Sequence, residues 1–368
     1  MFRDNVILIC SETDYPYRSY IKEARKRLAM PKVTIYDVAK RAGVSAATVS
    51  KVLNGTGRIS PETSQRIRAA IEELQYRPSL IASALKKHQT FSVGLLVPDI
   101  TNPFYAALAR AVEDQALAHN YAVLICSTDN IAEREEKQLE LFLRQRLDGL
   151  IVATSEAMGQ EFFNTLHQSQ VRVVFIDRVI PNVPYPVIAT DHYLGSYLAT
   201  EHLIELGHRD IAIFLEPLTL RSSLERLRGF AKALEAHQIK FDDHLVFSEG
   251  FGVEAGYELA QRMLTQKGPQ ELPTAIFAAT DQLAIGALQY FHEKGISVPD
   301  QISLIGYDDI QMAKMVSPPL TTVAQPITEL GHQAFEVLLG TQALSATTTL
   351  LPPRVVVRSS TAAPHLQS

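Results

Sequence analysis

The chain has 368 residues, of which 46% are hydrophobic and 20% charged, and it carries a net charge of −5. That length outgrows one compact core and predicts two or three domains of ordinary globular composition. Two cysteines far apart, Cys10 and Cys126, argue against a disulfide framework or a zinc site, and no apolar run approaches a secretory core or a membrane span.

Residues 1–29 show no capping signal tied to a core and precede a second methionine, Met30. They read either as a loosely ordered extension or as sequence upstream of the natural start. Residues 30–90 hold ten Lys and Arg against four acids, about +6, which leaves about −13 for residues 91–368. A basic headpiece on an acidic body predicts a localised phosphate-binding surface, despite the negative total.

Residues 34–54 carry two short helical patterns around a Gly43-Val44-Ser45 turn, the form of a helix-turn-helix. Thr34 is placed to cap the first helix, with Ile35, Val38, Ala39 and Ala42 on its inner face. Gly43 supplies the positive φ that ends that helix, and Ser45 caps the next. In the second helix Val49, Val52 and Leu53 are expected to face inward. Ala46, Ala47, Ser50 and Lys51 are expected to face outward, where small and polar residues allow close approach to a major groove. Asn54-Gly55-Thr56-Gly57 forms a turn, and Ser60-Pro61 opens a third helix with Ile67, Ala70, Ile71 and Leu74 as its apolar stripe. The stretch Ser79–Lys87 is too short to be stable alone as a helix and would fold only when another surface supplies contacts.

From Ser92 onward strand-like runs alternate with helical segments. The strands are expected at Val93–Val97, Ala122–Cys126, Gly149–Val152, Val173–Ile176, Ile211–Leu215, Ala275–Phe277 and Ser303–Ile305. Helices are expected at Tyr105–His119, Glu133–Arg146, Gly195–Leu206, Glu225–His237 and Leu283–Lys294. This rhythm predicts an α/β body of parallel sheets with helices on both faces, binding ligand beyond the carboxyl ends of its strands. Polar and aromatic residues stand at those ends: Asn102-Pro103-Phe104-Tyr105, Asp177-Arg178 and Asp308. Carboxylates and guanidiniums bond paired hydroxyls while aromatic faces cover apolar C–H surface, which together suit a sugar. Catalytic motifs are missing: there is no Gly-x-Ser-x-Gly elbow, Walker loop or His-Glu-x-x-His, and Gly250-Phe251-Gly252 lacks a third glycine. The eleven histidines are dispersed. Neither an enzyme nor a metal or cofactor site is expected.

The headpiece Thr34–Asn54, the hinge from Tyr76-Arg77-Pro78-Ser79 to Leu85, Ile305-Gly306-Tyr307-Asp308-Asp309 and Pro318-Pro319-Leu320-Thr321-Thr322 together resemble the lactose-repressor (LacI/GalR) family of bacterial transcription regulators. The match runs from Val33 nearly to the C-terminus. The resemblance implies a helix-turn-helix headpiece at 30–77, a hinge helix and linker at 78–90, and a two-lobed periplasmic-binding-protein-like body at 91–368. Three crossovers divide the body into an N-lobe, roughly 91–190 and 322–349, and a C-lobe, roughly 191–321 and 350–368. It also implies DNA contact by Thr34, Tyr36, Ser45, Ala46, Ala47, Thr48, Ser50, Lys51 and Asn54, with Leu85 wedged into the minor groove at the centre of a palindromic double-stranded operator. Ser79 and Ser83 depart from the larger groups common in the family, which thins the hinge contacts. The small pair Ala46 and Ala47 leaves base readout to Ser45, Ser50, Lys51, Asn54 and the arm around Thr34 and Tyr36, with specificity shared with the hinge and DNA shape.

In the body, Phe104, Tyr105, Asp177, Arg178, Arg226, Phe251, Thr280, Asp308 and Gln325 fall where sugar-binding relatives contact ligand, and the set is similar to that of ribose-type periplasmic binding proteins. Thr280 stands where those proteins often have Asn. The implied function is a cytoplasmic, homodimeric transcriptional regulator, a repressor of carbohydrate-utilisation genes switched by a small sugar between the lobes. A purine- or other metabolite-responsive regulator of the same family is the alternative, and a solute-binding protein explains only the body. The tail after Val357 has no leucine heptad and so predicts no coiled-coil tetramer.

Overall fold

The computed structural model describes residues 33–76, 89–153, 159–180, 183–267, 272–340 and 348–364. The chain divides into two compact units, Met1–Lys87 and His88–Ser368. Leu85, the hinge around it and residues 1–29 lie outside the described residues.

The first unit is a three-helix headpiece of α1 (Ile35–Ala42), α2 (Ala46–Leu53) and α3 (Pro61–Glu73). The Asp37 carboxylate accepts from the Thr34 backbone N–H at 2.8 Å and from its hydroxyl at 2.7 Å, which fixes the start of α1. Gly43 ends α1 at φ 66°, a left-handed value that a Cβ would strain, and Ser45 Oγ then accepts from Thr48 N–H at 3.2 Å to open α2. Val38, Ala39, Ala42, Val49, Ile67 and Ala70 form the core, with Ala46 and Val52 packed at its edge. Ala46 is therefore half-buried rather than outward. Leu53 departs from the inward expectation as well: at 37% exposed it is the last residue of α2.

The second unit is two α/β lobes. In the N-lobe, β1 (Ser92–Val97), β2 (Ala122–Ser127), β3 (Gly149–Val152), β4 (Arg172–Ile176), β5 (Val187–Thr190) and β11 (Thr348–Leu351) pair in the order β11-β5-β4-β3-β1-β2, all parallel. In the C-lobe, β6 (Ile211–Leu215), β7 (Val246–Ser248), β8 (Ala275–Ala278), β9 (Ser303–Asp308), β10 (Thr321–Ala324) and β12 (Arg354–Val356) pair as β12-β10-β9-β8-β6-β7. Only β12 is antiparallel among those neighbours. The strands are short, nearly continuous apolar runs because helices cover both faces.

Those helices are α4 (Pro103–Ala118), α5 (Ala132–Arg144), α6 (Gln160–Ser169) and α11 (Ile327–Leu339) in the N-lobe, and α7 (His192–Glu205), α8 (Arg221–Ala236), α9 (Gly252–Lys267) and α10 (Asp281–Lys294) in the C-lobe. The chain crosses between lobes three times: at Asp191, at Gln325-Pro326 and at Pro352-Pro353. The expected lobe boundaries at 321/322 and 349/350 thus fall early, because Thr321–Ala324 is a strand of the C-lobe sheet and Thr348–Leu351 a strand of the N-lobe sheet. Asp191 N–H donates to Leu351 O at 2.9 Å and Thr190 Oγ1 to Gln325 Oε1 at 2.6 Å, so the three crossings are tied to one another.

Glycine sets the closest approach between helices. A Cβ on Gly229 of α8 would lie 2.2 Å from the Tyr193 carbonyl oxygen of α7, and one on Gly286 of α10 would lie 1.9 Å from the Val253 oxygen of α9. These pairs pack backbone to backbone.

Candidate functional site

The carboxyl ends of strands from both sheets meet around a cleft of about 370 Å³. All nine residues expected at a ligand site line it: Phe104, Tyr105, Asp177, Arg178, Arg226, Phe251, Thr280, Asp308 and Gln325. Their positions follow from the strands. Asp177 and Arg178 come directly after β4, Asp308 ends β9, and Gln325 follows β10. Phe104 and Tyr105 open α4, where the Asn102 side chain caps Phe104 N–H at 3.0 Å. Arg226 sits within α8, Phe251 immediately before α9, and Thr280 is the N-cap of α10.

On the N-lobe wall, Tyr105 OH donates to Asp177 Oδ2 at 2.9 Å and accepts from Arg178 Nη2 at 3.2 Å. Arg178 Nη1 reaches Asn130 Oδ1 at 3.3 Å, and its Nε stands 3.9 Å from Asp177. Asp177 and Arg178 are both buried, as are Arg226 and Asp308 opposite them. The Arg226 guanidinium lies 4.2 Å over the ring of Tyr307, and its Nε is buried with no hydrogen-bond partner among the described residues. Gln325 Nε2 donates to Asp308 Oδ1 at 2.7 Å. Thr280 Oγ1 accepts from Leu283 N–H at 3.2 Å, so its hydroxyl serves the helix as acceptor while its hydrogen remains a donor. Phe104 is buried edge-on to Tyr105 at 5.0 Å, whereas Phe251 is 48% exposed.

Asp177 and Asp308 hold left-handed backbone, with φ 74° and 114°. Aspartate tolerates that region better than most residues, and such strain concentrates where a side chain must be aimed.

Burial governs the charges. It pushes the Asp177 carboxyl up, against Arg178 and the Tyr105 hydroxyl, and it pushes Asp308 well above the usual carboxylate range, against Arg226. Burial works against the Arg226 charge, but Tyr307, Asp308, Glu216 and Asp177 outweigh it and raise that group.

Several groups in or behind the cleft escaped the sequence, Glu216, Ser222 and His192 among them. Glu216 and Ser222 line the cavity; Glu216 directly follows β6, so the strand-end rule that found Asp177 reaches it too. His192 lies behind the wall, where burial, then Arg226 and Arg178, push its pKa well below the ordinary value and keep the ring neutral. Its Nδ1 faces Tyr307 OH at 3.1 Å and Arg226 Nη2 at 3.4 Å. A guanidinium only donates, so Nδ1 accepts and the proton sits on Nε2, which faces Asp177 Oδ1 at 3.9 Å. No local pattern marks this contact, which the fold assembles from β4, α7, α8 and β9.

In the headpiece, Thr34, Tyr36, Ser45, Ala47, Lys51 and Asn54 are exposed, with Tyr36 at 73%, while Ala46, Thr48 and Ser50 are half-buried. Asn54 Nδ2 donates to Ser50 O at 2.7 Å, so its amide closes the end of α2. Ser45 and Thr48 hydroxyls bond each other at 2.9 Å. The structure therefore brings the expected set onto α1, α2 and their flanks, with several polar groups already serving the fold.

A model of the bacterial regulatory proteins of the lacI family matches residues 34–79, and one of a periplasmic binding protein-like domain matches residues 200–361. The transcriptional repressor PurR of Haemophilus influenzae (strain PittEE) is 39% identical over 306 residues, 83% of this chain and 90% of PurR. The lac repressor dimer bound to operator and the anti-inducer ONPF is 30% identical with a TM-score of 0.81, covering 90% of this chain and 100% of that one. A LacI family regulator from Enterococcus faecium with bound ribose is 33% identical with a TM-score of 0.67, covering 74% of this chain and 100% of that one. With a helix-turn-helix headpiece, a two-lobed body and this degree of identity, the chain belongs to the LacI family of bacterial regulatory proteins and is a DNA-binding transcriptional regulator with an effector-binding domain, not an enzyme.

Proposed function

We propose that the chain represses carbohydrate genes, binds a palindromic operator as a homodimer, and is switched by a small sugar in the interlobe cleft. The observation that carries the sugar is the cleft lining: Asp177 with Arg178 from one lobe and Asp308 with Arg226 from the other, beside the rings of Phe104 and Phe251. Paired acceptors and donors satisfy adjacent hydroxyls, and a ring face covers the apolar side of a sugar. The ribose bound to the Enterococcus faecium regulator supports the same reading. A purine would use the two aromatic rings but leave more carboxylate acceptors without donors.

Palindromic recognition pairs two headpieces through two-fold symmetry, and the similar lac repressor is a dimer bound to operator. Effector binding would change the operator affinity by favouring one relation of the lobes over another.

Calorimetric titration of the purified chain with pentoses, hexoses and purines tests the effector. Binding of a sugar that is lost in Arg226→Ala and in Asp308→Ala is the expected result, with DNA affinity spared. Binding of a purine and no sugar refutes it. For the output, Leu85→Ala should weaken specific operator binding more than non-specific binding; equal loss of both would sink the minor-groove role.

A further inference from the structure

The cleft lining contains a further carboxylate beside Asp177 and Asp308. Glu216 is the residue after β6; its carbonyl accepts from Ser248 Oγ at 2.9 Å, while its carboxylate takes part in no hydrogen bond or ion pair among the described residues. Its nearest charged influences are Arg226 of its own lobe, Arg178 across the cleft, and Asp177. Burial pushes its carboxyl up despite the two guanidiniums, so the group gains from any donor brought to it.

The whole lining is unbalanced in the same sense. Asp99, Asp177, Glu216, Glu254 and Asp308 line the cavity, against Arg178 and Arg226. Both guanidiniums already face carboxylates: Arg178 stands beside Asp177, and Arg226 feels Asp308, Glu216 and Asp177. A phosphate ester brings acceptors and negative charge into a lining rich in both. A hydroxyl brings a donor. Arg226 lines the cavity as well, and its guanidinium, whose buried Nε has no partner among the described residues, offers a donor to one ligand oxygen. The complement of this lining has several O–H groups, at least one neutral oxygen and no added charge.

We propose that Glu216 contacts the ligand and, with Asp177 and Asp308, makes the cleft select an uncharged sugar over its phosphate ester. This rests on the sugar reading and specifies it: Glu216 accepts from a ligand hydroxyl, and its charge excludes the anionic form of the same sugar.

The test is calorimetric titration of the full chain with ribose, glucose and fructose, each alongside its terminal phosphate ester, for wild type and Glu216→Gln. Gln keeps the length and shape of the side chain while removing the charge, and a thermal melt checks that the variant folds. In the wild type the free sugar should bind at least about tenfold tighter than its ester, the factor that one unfavourable charge contact of about 1.4 kcal/mol yields. Glu216→Gln should narrow that ratio several-fold while weakening the free sugar. An ester that binds as tightly as its sugar, or a ratio unchanged in Glu216→Gln, overturns the role of Glu216 and leaves the sugar reading standing. If neither sugar nor ester binds, both fall together.

Discussion

Gln325 donates its amide N–H to Asp308 at 2.7 Å, and through that one bond a crossing between the lobes holds a carboxylate of the cleft. The other end of the same amide accepts from Thr190 Oγ1 at 2.6 Å, at the edge of the first crossing. A side chain on the hinge thus sets the geometry of the binding wall.

Replacing Gln325 with Leu should leave Asp308 and Thr190 each one partner short in a buried setting. The expected cost is about 1–3 kcal/mol of stability, because a buried polar group without its bond loses its desolvation compensation. Ligand affinity should fall as well. Denaturant unfolding and titration of the same variant measure both, and unchanged affinity would show that Asp308 is held by other groups.

Gly229→Ala should act on the cleft from the far side of a helix. Its Cβ meets the Tyr193 carbonyl at 2.2 Å, so α8 must move away from α7. Ser196 Oγ also donates to the Arg226 carbonyl across that contact, which makes the shift felt at the guanidinium-bearing turn. Overpacking of this kind costs about 1–3 kcal/mol. A lower melting temperature with weakened ligand binding is expected; an unchanged melting temperature would count against the tight helix contact.

Asp281 gives the protein a pH-dependent stability. It is fully buried, accepting from Thr322 Oγ1 at 2.5 Å and Ile310 N–H at 2.8 Å. Burial pushes its carboxyl from 3.8 up to about 7. The folded state therefore binds a proton that the unfolded state has already released, and stability falls as pH rises from about 4 to about 7, then levels. His192 has the opposite sign: its pKa is lowered on folding, so its contribution is lost as pH drops below 6.5. Thermal melts across this range should show Asp281→Asn removing part of the fall toward neutrality. A slope identical to wild type would assign that fall to other groups.

In the headpiece, Lys51→Ala should weaken DNA binding about equally across sequences and lower the salt slope by about one phosphate contact. Lys51 is exposed at the last turn of α2 and makes no ion pair among the described residues. Fluorescence anisotropy at several salt concentrations reads the slope, and loss confined to one operator would point to base contact instead.

The alternating apolar runs made seven strands readable, since a run such as Ile211–Leu215 is buried along its whole length. Of the strands that escaped, Val246–Ser248 and Arg354–Val356 have three residues and Thr348–Leu351 begins with two exposed threonines, while Val187–Thr190 and Thr321–Ala324 are four-residue buried runs containing threonine. The helices α6, α9 and α11 also escaped. In α11 the buried Leu330, Ala334, Phe335 and Leu338 keep helical spacing, but Gly331 and the surrounding Thr and Gln dilute it. Phe104, Tyr105, Asp177, Arg178 and Asp308 were legible because strand ends place residues in one crevice whatever their sequence separation, whereas Arg226, Phe251, Thr280 and Gln325 came from the resemblance to sugar-binding relatives. His192 and Tyr307 were not legible, because their contact joins elements more than a hundred residues apart and leaves no periodic trace. Leu53, the last residue of its helix, keeps the apolar spacing yet stays 37% exposed, because periodicity assigns a face without saying whether that face is covered.

The left-handed backbone beneath Asp177 and Asp308 bears on how such a protein could diversify. At φ 74° and 114° a β-branched or bulky replacement would strain the chain, so these two sites are open mainly to Asp, Asn and Gly. Altered ligand preference then has its easier route through neighbours on ordinary backbone, such as Thr280 at φ −140°. The two aspartates act as fixed anchors around which a changing lineage would rewrite the remaining wall.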